Sequence, residues 1–105
     1  MNFADGLTSA NLGKPDVAKA LEQHARYCAA LEQCGLALTR LPADAEFADS
    51  TFVEDTAIVI GDIAILTRPG AAARAGEVAR IEPTLRTLLA RIHAIATPGT
   101  LDGGD

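Results

Sequence analysis

The runs Ala57-Ile58-Val59-Ile60 and Ile63-Ala64-Ile65-Leu66-Thr67 are separated only by Gly61-Asp62. β-Branched runs of this kind read as strands, and a two-residue Gly-Asp link between them reads as a tight hairpin. That hairpin fixes the middle of the chain as strand–turn–strand and excludes an all-helical fold. At 105 residues the chain is one domain, or part of one. Its hydrophobic content of 49% suits a packed core. Only three Phe and one Tyr are aromatic, so aliphatic side chains and alanine must fill that core.

Around the hairpin the pattern is mixed. Residues 1–13 read as loop, with Gly6, Gly13 and two asparagines. Lys14-Pro15-Asp16 opens a helix, because proline is favoured in a first turn and an acid there suits the dipole. Val17, Leu21, His24, Cys28 and Leu31 recur at helical spacing, with Ala20 and Tyr27 beside them, and Gly35 supplies the stop. Leu36 to Leu41 reads as a strand closed by Pro42, and the acidic segment 43–55 has Phe47 and Phe52 as its anchors. After the Arg68-Pro69-Gly70 turn, a second helix is predicted from about Ala72 to Arg91. Val78, Ile81, Leu85, Leu88, Leu89 and Ile92 form its inner face, and Pro83 kinks or restarts it. Ile92 to Ala96 reads as a short strand, followed by a turn at Thr97-Pro98-Gly99-Thr100. The unit of strand, proline, loop and acids thus recurs, from Leu36 to Asp55 and from Ile92 to Asp105. This repeat of roughly fifty residues implies further copies, because one such unit rarely buries its apolar face alone.

Charge and cysteines narrow the function. The net charge is −5, from 9 basic and 14 acidic residues. Nucleic acid and anionic membranes are gripped by basic surface, so neither is an expected partner. Cys28 and Cys34, six apart in one helix, point about 120° apart with Cα atoms about 9 Å apart along the axis. That is beyond disulfide reach, so two free thiols are expected, and with them a reducing, cytoplasmic location. The plain reading of both is as small buried hydrophobes. No signal peptide and no apolar run near 18 residues directs the chain to a membrane.

The chemistry concentrates in Asp49-Ser50-Thr51-Phe52-Val53-Glu54-Asp55, three carboxylates in seven residues before a strand. Converging acids need cations or hydrogen-bond donors, and a planar guanidinium suits them through parallel N–H bonds. A solvated acidic loop and a divalent-cation site are the other readings. The cation is disfavoured because adjacent Glu54 and Asp55 diverge unless the loop bends. The tail Leu101-Asp102-Gly103-Gly104-Asp105 adds two acids. Its glycines permit positive φ and the close approach of another group. Arg74, at the head of the second helix, opposes the dipole there. It reads either as a solvated arginine paired with Glu77 or as a carboxylate clamp on a ligand. His24, on the inner stripe of the first helix, and His93, at a strand edge, read as structural. No glycine-rich phosphate loop, zinc spacing or G-x-S-x-G elbow is present.

Taken together, G-L-T-S-A-N-L-G-K-P-D…A-L-E-Q-H, L-P-A-D…F-A-D-S-T-F-V-E-D, T-R-P-G-A…R…G-E and T-L-D-G-G-D closely resemble the dimethylarginine dimethylaminohydrolases, in order and spacing across essentially the whole chain. F-V-E-D separates the chain from the related arginine deiminases, which carry a different acid motif there. The resemblance implies an α/β pentein fold, a five-bladed pseudo-symmetric β/α propeller. About two blades would be present here, as units of about 14–67 and 72–105. It implies hydrolysis of Nω-methylated arginines to citrulline and methylamine or dimethylamine through a covalent thiouronium, with a small-molecule substrate, no cofactor and no metal. By matching motifs, Glu54 and Asp55 would grip the substrate guanidinium. Asp49 and the Leu7 carbonyl would hold the α-amino group, and Arg74 one side of the α-carboxylate. Asp102 would orient the catalytic histidine.

The resemblance also implies pieces that this sequence does not carry. The family's catalytic histidine, its nucleophilic cysteine and a second carboxylate-binding arginine belong later, and its first strand precedes Phe3. Cys28 and Cys34 do not match the nucleophile. An incomplete gene or truncated record is the expectation, with assembly around a separately encoded complement as another. A small acidic module that binds a guanidino compound or divalent cation without turnover is the reading from a different class. A partial propeller would leave strand edges unpaired, so marginal folding, self-association or homo-oligomers are expected.

Overall fold

The computed structural model describes residues 13–104. The chain divides into two compact units, Met1–Ala48 and Asp49–Asp105. In the first, helix α1 spans Val17–Gln33. Asp16 is its N-cap: the Asp16 side chain accepts the Lys19 N–H at 3.1 Å, satisfying one of the donors orphaned at a helix start. Pro15 therefore stands just before the cap, outside the first turn where it was expected. At the other end Gly35, at φ +84°, takes the left-handed conformation. The Gly35 and Leu36 N–H groups donate back to Glu32 and Leu31, which closes the helix in a Schellman motif.

The apolar stripe of α1 has the expected period but is only partly covered. Cys28 is buried, Val17, Ala20 and Leu31 are half-buried, and Leu21, His24 and Tyr27 are exposed. His24 is thus not an inner residue, although both its ring nitrogens lie within 3.9 Å of Cys28 Sγ. Both cysteines are free, as their spacing predicts. Cys34 is exposed because it is the helix C-cap, so the buried-hydrophobe reading fits Cys28 alone.

The expected strand from Leu36 to Leu41 is absent. A strand exists through its ladder, and the sheet of the described residues contains three others. The Leu36 N–H is already engaged by the helix cap. Of the two copies of the repeat pattern, only the second carries its strand.

In the second unit the hairpin forms as expected. Strand β1, Ala57–Ile60, pairs antiparallel with β2, Ile63–Leu66, with Ile60 opposite Ile63. Gly61 has φ +60° and Asp62 has a negative φ, the pattern of a II′ turn. Helix α2, Glu77–Leu88, then crosses to β3, Arg91–Ala94, which lies parallel to β2 with Ala64 beside Ile92. The sheet order is β1-β2-β3, so β2 is central. Accordingly its inward residues Ala64 and Leu66 are the buried aliphatics of the core, while Ile63 and Ile65 are half-buried. On β1, Val59 and Ile60 remain 53% and 65% exposed.

Helix α2 is shorter than predicted. Residues Ala72–Arg74 form a separate 3-10 turn, and the α-helix starts only after Gly76. Arg74 therefore does not oppose the α2 dipole, and acidic Glu77 occupies the first turn. The helix runs through Pro83 without restarting. It ends at Leu88, which is exposed, whereas Val78, Ile81, Leu85, Leu89 and Ile92 are half-buried as the inner face requires. Strand β3 starts one residue early because Asp62 anchors it. The Arg91 N–H donates to Asp62 O at 3.3 Å and the Arg91 guanidinium to Asp62 Oδ1 at 2.8 Å. The same guanidinium holds the Asp62 carboxyl below its ordinary value.

The turn carries a clear stability signature. Nothing lies within 4 Å of a Cβ added at Gly61, so Gly61→Ala meets only backbone strain. It should lower the unfolding free energy by about 1 kcal/mol. Urea denaturation checks this, and an unchanged midpoint would show that the positive φ is not required.

Candidate functional site

The acidic septet does bend. The Phe52 N–H donates to Asp49 O at 3.0 Å, and Val53–Thr56 then forms a 3-10 turn leading into β1. Successive residues of such a turn point about 120° apart. Glu54 accordingly faces solvent, while Asp55 is half-buried. Two threonines secure the turn, one within it and one from the end of β2. Thr56 Oγ1 donates to Val53 O at 2.6 Å. Thr67, directly after β2, donates its N–H to Thr56 O at 3.0 Å and its hydroxyl to Asp55 O at 2.6 Å. Both threonines are buried. Glu54 and Asp55 are thereby held at the carboxyl end of β2.

Arg74 lies at the centre of the cluster and is only 8% exposed. Its Nε donates to Glu77 Oε1 at 3.0 Å and its NH2 to Glu77 Oε2 at 2.7 Å, a two-pronged ion pair. NH2 also reaches the backbone oxygens of Phe52 at 3.0 Å and Asp49 at 3.2 Å. NH1 pairs with Asp55 Oδ2 at 2.5 Å. The Phe52 ring lies beneath the guanidinium, with its centroid 6.0 Å from Cζ. Glu77, itself 4% exposed, does most to raise the Arg74 pKa above its ordinary value, followed by Asp55, with burial opposing them. The pairing with Glu77 that the sequence suggested is present, but inside the unit and not in solvent.

The tail closes the other side. The Leu101 N–H donates to Arg68 O at 2.9 Å in a single bridge, and the Gly103 N–H to Asp55 O at 2.9 Å. A Cβ at Gly103 would lie 2.4 Å from Glu54 O, and one at Gly104 would lie 2.8 Å from Asp55 Oδ1. Both glycines thus serve close approach. Neither has positive φ, so the conformational half of the sequence argument does not apply. The half-buried Asp102 has its Oδ2 beside Gly70, 4.0 Å from the position a Cβ would take there.

Among the predicted residues, the structure brings together Asp49, Glu54, Asp55, Arg74 and Asp102 around the carboxyl ends of β2 and β3. Asp49 is buried and contacts Arg74 through its backbone oxygen. Leu7 lies outside the described residues. Sequence reasoning did not weigh Thr67 or the burial of Glu77. A glutamate three residues after Arg74, at the start of α2, was the available signal for the latter. Among the described residues no group of three or more His, Cys, Asp or Glu side chains could hold a metal ion. Five carboxylates against one arginine make a strongly acidic corner, suited to a cationic group that donates several hydrogen bonds.

Because the guanidinium plane satisfies two carboxylates and two carbonyls together, Arg74→Lys should not substitute for it. The variant should lose about 2–3 kcal/mol of stability in thermal or urea unfolding, by leaving buried carboxylate unpaired. A loss below about 0.5 kcal/mol would mean that charge alone suffices.

No protein-family model matches the chain. It is 49% identical over 105 residues to N(G),N(G)-dimethylarginine dimethylaminohydrolase of Pseudomonas aeruginosa, covering 99% of this chain and 41% of that protein. It is 41% identical to the protein of the same name from Streptomyces coelicolor, covering 98% of this chain and 40% of the relative. Its fold superposes with a TM-score of 0.96, at 48% identity, on a mutant of the Pseudomonas aeruginosa protein complexed with citrulline. That match covers 99% of this chain and 41% of the other. Over nearly its whole length the chain is therefore related, in sequence and in mixed α/β fold, to the dimethylarginine dimethylaminohydrolases, of whose length it spans about 41%.

Proposed function

We propose that this chain supplies a substrate-binding part of an enzyme that hydrolyses Nω-methylated arginines, dimethylarginine and monomethylarginine, to L-citrulline and dimethylamine or methylamine. The observation that carries the proposal is the 49% identity across 105 residues to a dimethylarginine dimethylaminohydrolase. The acidic corner supports it chemically. In this reading Glu54 and Asp55 hold the substrate guanidinium through charge-assisted hydrogen bonds. Asp49 and the Leu7 carbonyl take the α-amino group, Arg74 takes one side of the α-carboxylate, and Asp102 orients a histidine. No cofactor is required.

In the chemical step a cysteine thiolate adds to the guanidinium carbon. The methylated amine leaves with a proton delivered by the histidine, and water then releases citrulline from the thiouronium and restores the thiol. The unit Asp49–Asp105 contains no cysteine, and its one histidine, His93, lies on β3. By the resemblance neither Cys28 nor Cys34 matches the nucleophile, so the proposal takes nucleophile and proton donor from outside this sequence and treats the 105 residues as about two blades of a five-bladed propeller. Two free thiols accord with a reducing cytoplasm as the working compartment.

A chimera tests this reading directly. Replacing the matching segment of the Pseudomonas aeruginosa relative with this chain should give a protein that releases citrulline from dimethylarginine. Asp55→Asn in it should lower kcat/KM by about 10- to 100-fold, the value of one charge-assisted hydrogen bond. The purified 105-residue chain alone should release none. A folded but inert chimera, or citrulline from the isolated chain, would each refute the corresponding half of the proposal.

The exposed Val59 and Ile60 on β1 support the further expectation that the isolated chain self-associates through that edge. Sedimentation should show a concentration-dependent mass, reduced by Ile60→Lys. A monomer at all concentrations would count against it.

A further inference from the structure

We infer that Glu77 is a positioning residue for substrate recognition: it fixes the plane of the Arg74 guanidinium and, through it, the Asp55 carboxylate. The inference rests on the proposed function, whose roles for Asp55 and Arg74 it deepens. Neither the resemblance nor the acid motif assigns Glu77 a task.

Glu77 sits in the first turn of α2 and grips two atoms of the guanidinium, Nε at 3.0 Å and NH2 at 2.7 Å. Two parallel bonds to one carboxylate fix both the position and the rotation of a planar cation. The two backbone oxygens on NH2 allow no other plane, since they come from Phe52 and from Asp49, at separate points of the acidic loop. With Nε and NH2 so held, the NH1 edge is the one presented to Asp55. Among the described residues, one NH1 hydrogen is left on that edge for a ligand carboxylate. The two ends of the substrate would thus be aligned by a single cation whose orientation is set from behind by Glu77.

Burial strengthens the case. A carboxylate 4% exposed is costly to keep unless fully paired, and here Arg74 provides its pairing. Neutralising it would leave Asp55, already in contact with NH1, as the one carboxylate paired with the guanidinium, and so less available to a ligand. Glu77 therefore acts at one remove from the ligand, and its loss should weaken binding more than turnover.

The test uses the chimera with Glu77→Gln, which keeps the shape and removes the charge. For dimethylarginine, KM should rise about tenfold or more with little change in kcat. For the decarboxylated analogue, dimethylated agmatine, the rise should be markedly smaller, because the Arg74–carboxylate contact is absent from both proteins. Equal effects on the two substrates would overturn the carboxylate half of the inference, and an unchanged or lower KM would overturn the whole of it and assign Glu77 to stability alone. Should E77Q fail to fold, Glu77→Asp keeps the charge, breaks the two-pronged contact and gives the same comparison.

A second measurement stands apart from activity. In the 105-residue chain, proton exchange at Arg74 Nε should be slowed in the original sequence and fast in E77Q. Rapid exchange in both would overturn the inference even if the chimera is active. Slow exchange with an inert chimera would leave the clamp in place and refute its use on dimethylarginine, and thus the proposed function.

Discussion

A guanidinium withdrawn from water must find acceptors for its hydrogens, and Arg74 finds them in four different places along the chain. Asp49, Phe52, Asp55 and Glu77 each supply oxygen to it, so one side chain joins the acidic loop, the 3-10 turn and the head of α2. Buried ion pairs rarely add much net stability, because desolvation offsets attraction. What they supply is an arrangement that cannot relax without leaving a charge unpaired. The shape of the acidic corner is therefore tied to a single cation more than to side-chain packing, which is thin in this unit.

The hairpin and crossover explain why the corner lies where it does. Strand β2 is shared by an antiparallel and a parallel neighbour, and its buried Ala64 and Leu66 anchor it. In open α/β sheets the carboxyl ends of parallel strands are where ligands are met. Here β2 and β3 both end toward the acids. Thr67 continues β2 directly into hydrogen bonds with Asp55 and Thr56. The side chains that would bind a ligand are thus referenced to the central strand, with one turn of backbone between them.

Much of this was legible from residue order alone. The Gly61-Asp62 hairpin, the Asp16 start and Gly35 stop of α1, and the β-α-β run depend on local chemistry, which sequence carries openly. The segment Leu36–Leu41 shows the limit: its composition is that of a strand, but strand formation depends on a partner, and composition says nothing about one. Arg74 shows another limit. Its spacing to Glu77 was visible and its burial was not, because burial is a property of what folds over it. Asp49, Glu54, Asp55 and Asp102 were identifiable by pattern, whereas Thr67 looked like the end of an apolar run.

The close fit of Gly103 against the Glu54 and Ala57 carbonyl oxygens has a consequence for the sensitivity of the tail. Backbone rests on backbone there, with no side chain between to deform. A side chain added at Gly103 could be accommodated only by moving the tail away from the segment bearing Glu54 and Asp55. Asp102, one residue before this contact, consequently shares a mechanical reference with the acids across from it. The spacing of the two loops is set by the van der Waals radii of main-chain atoms.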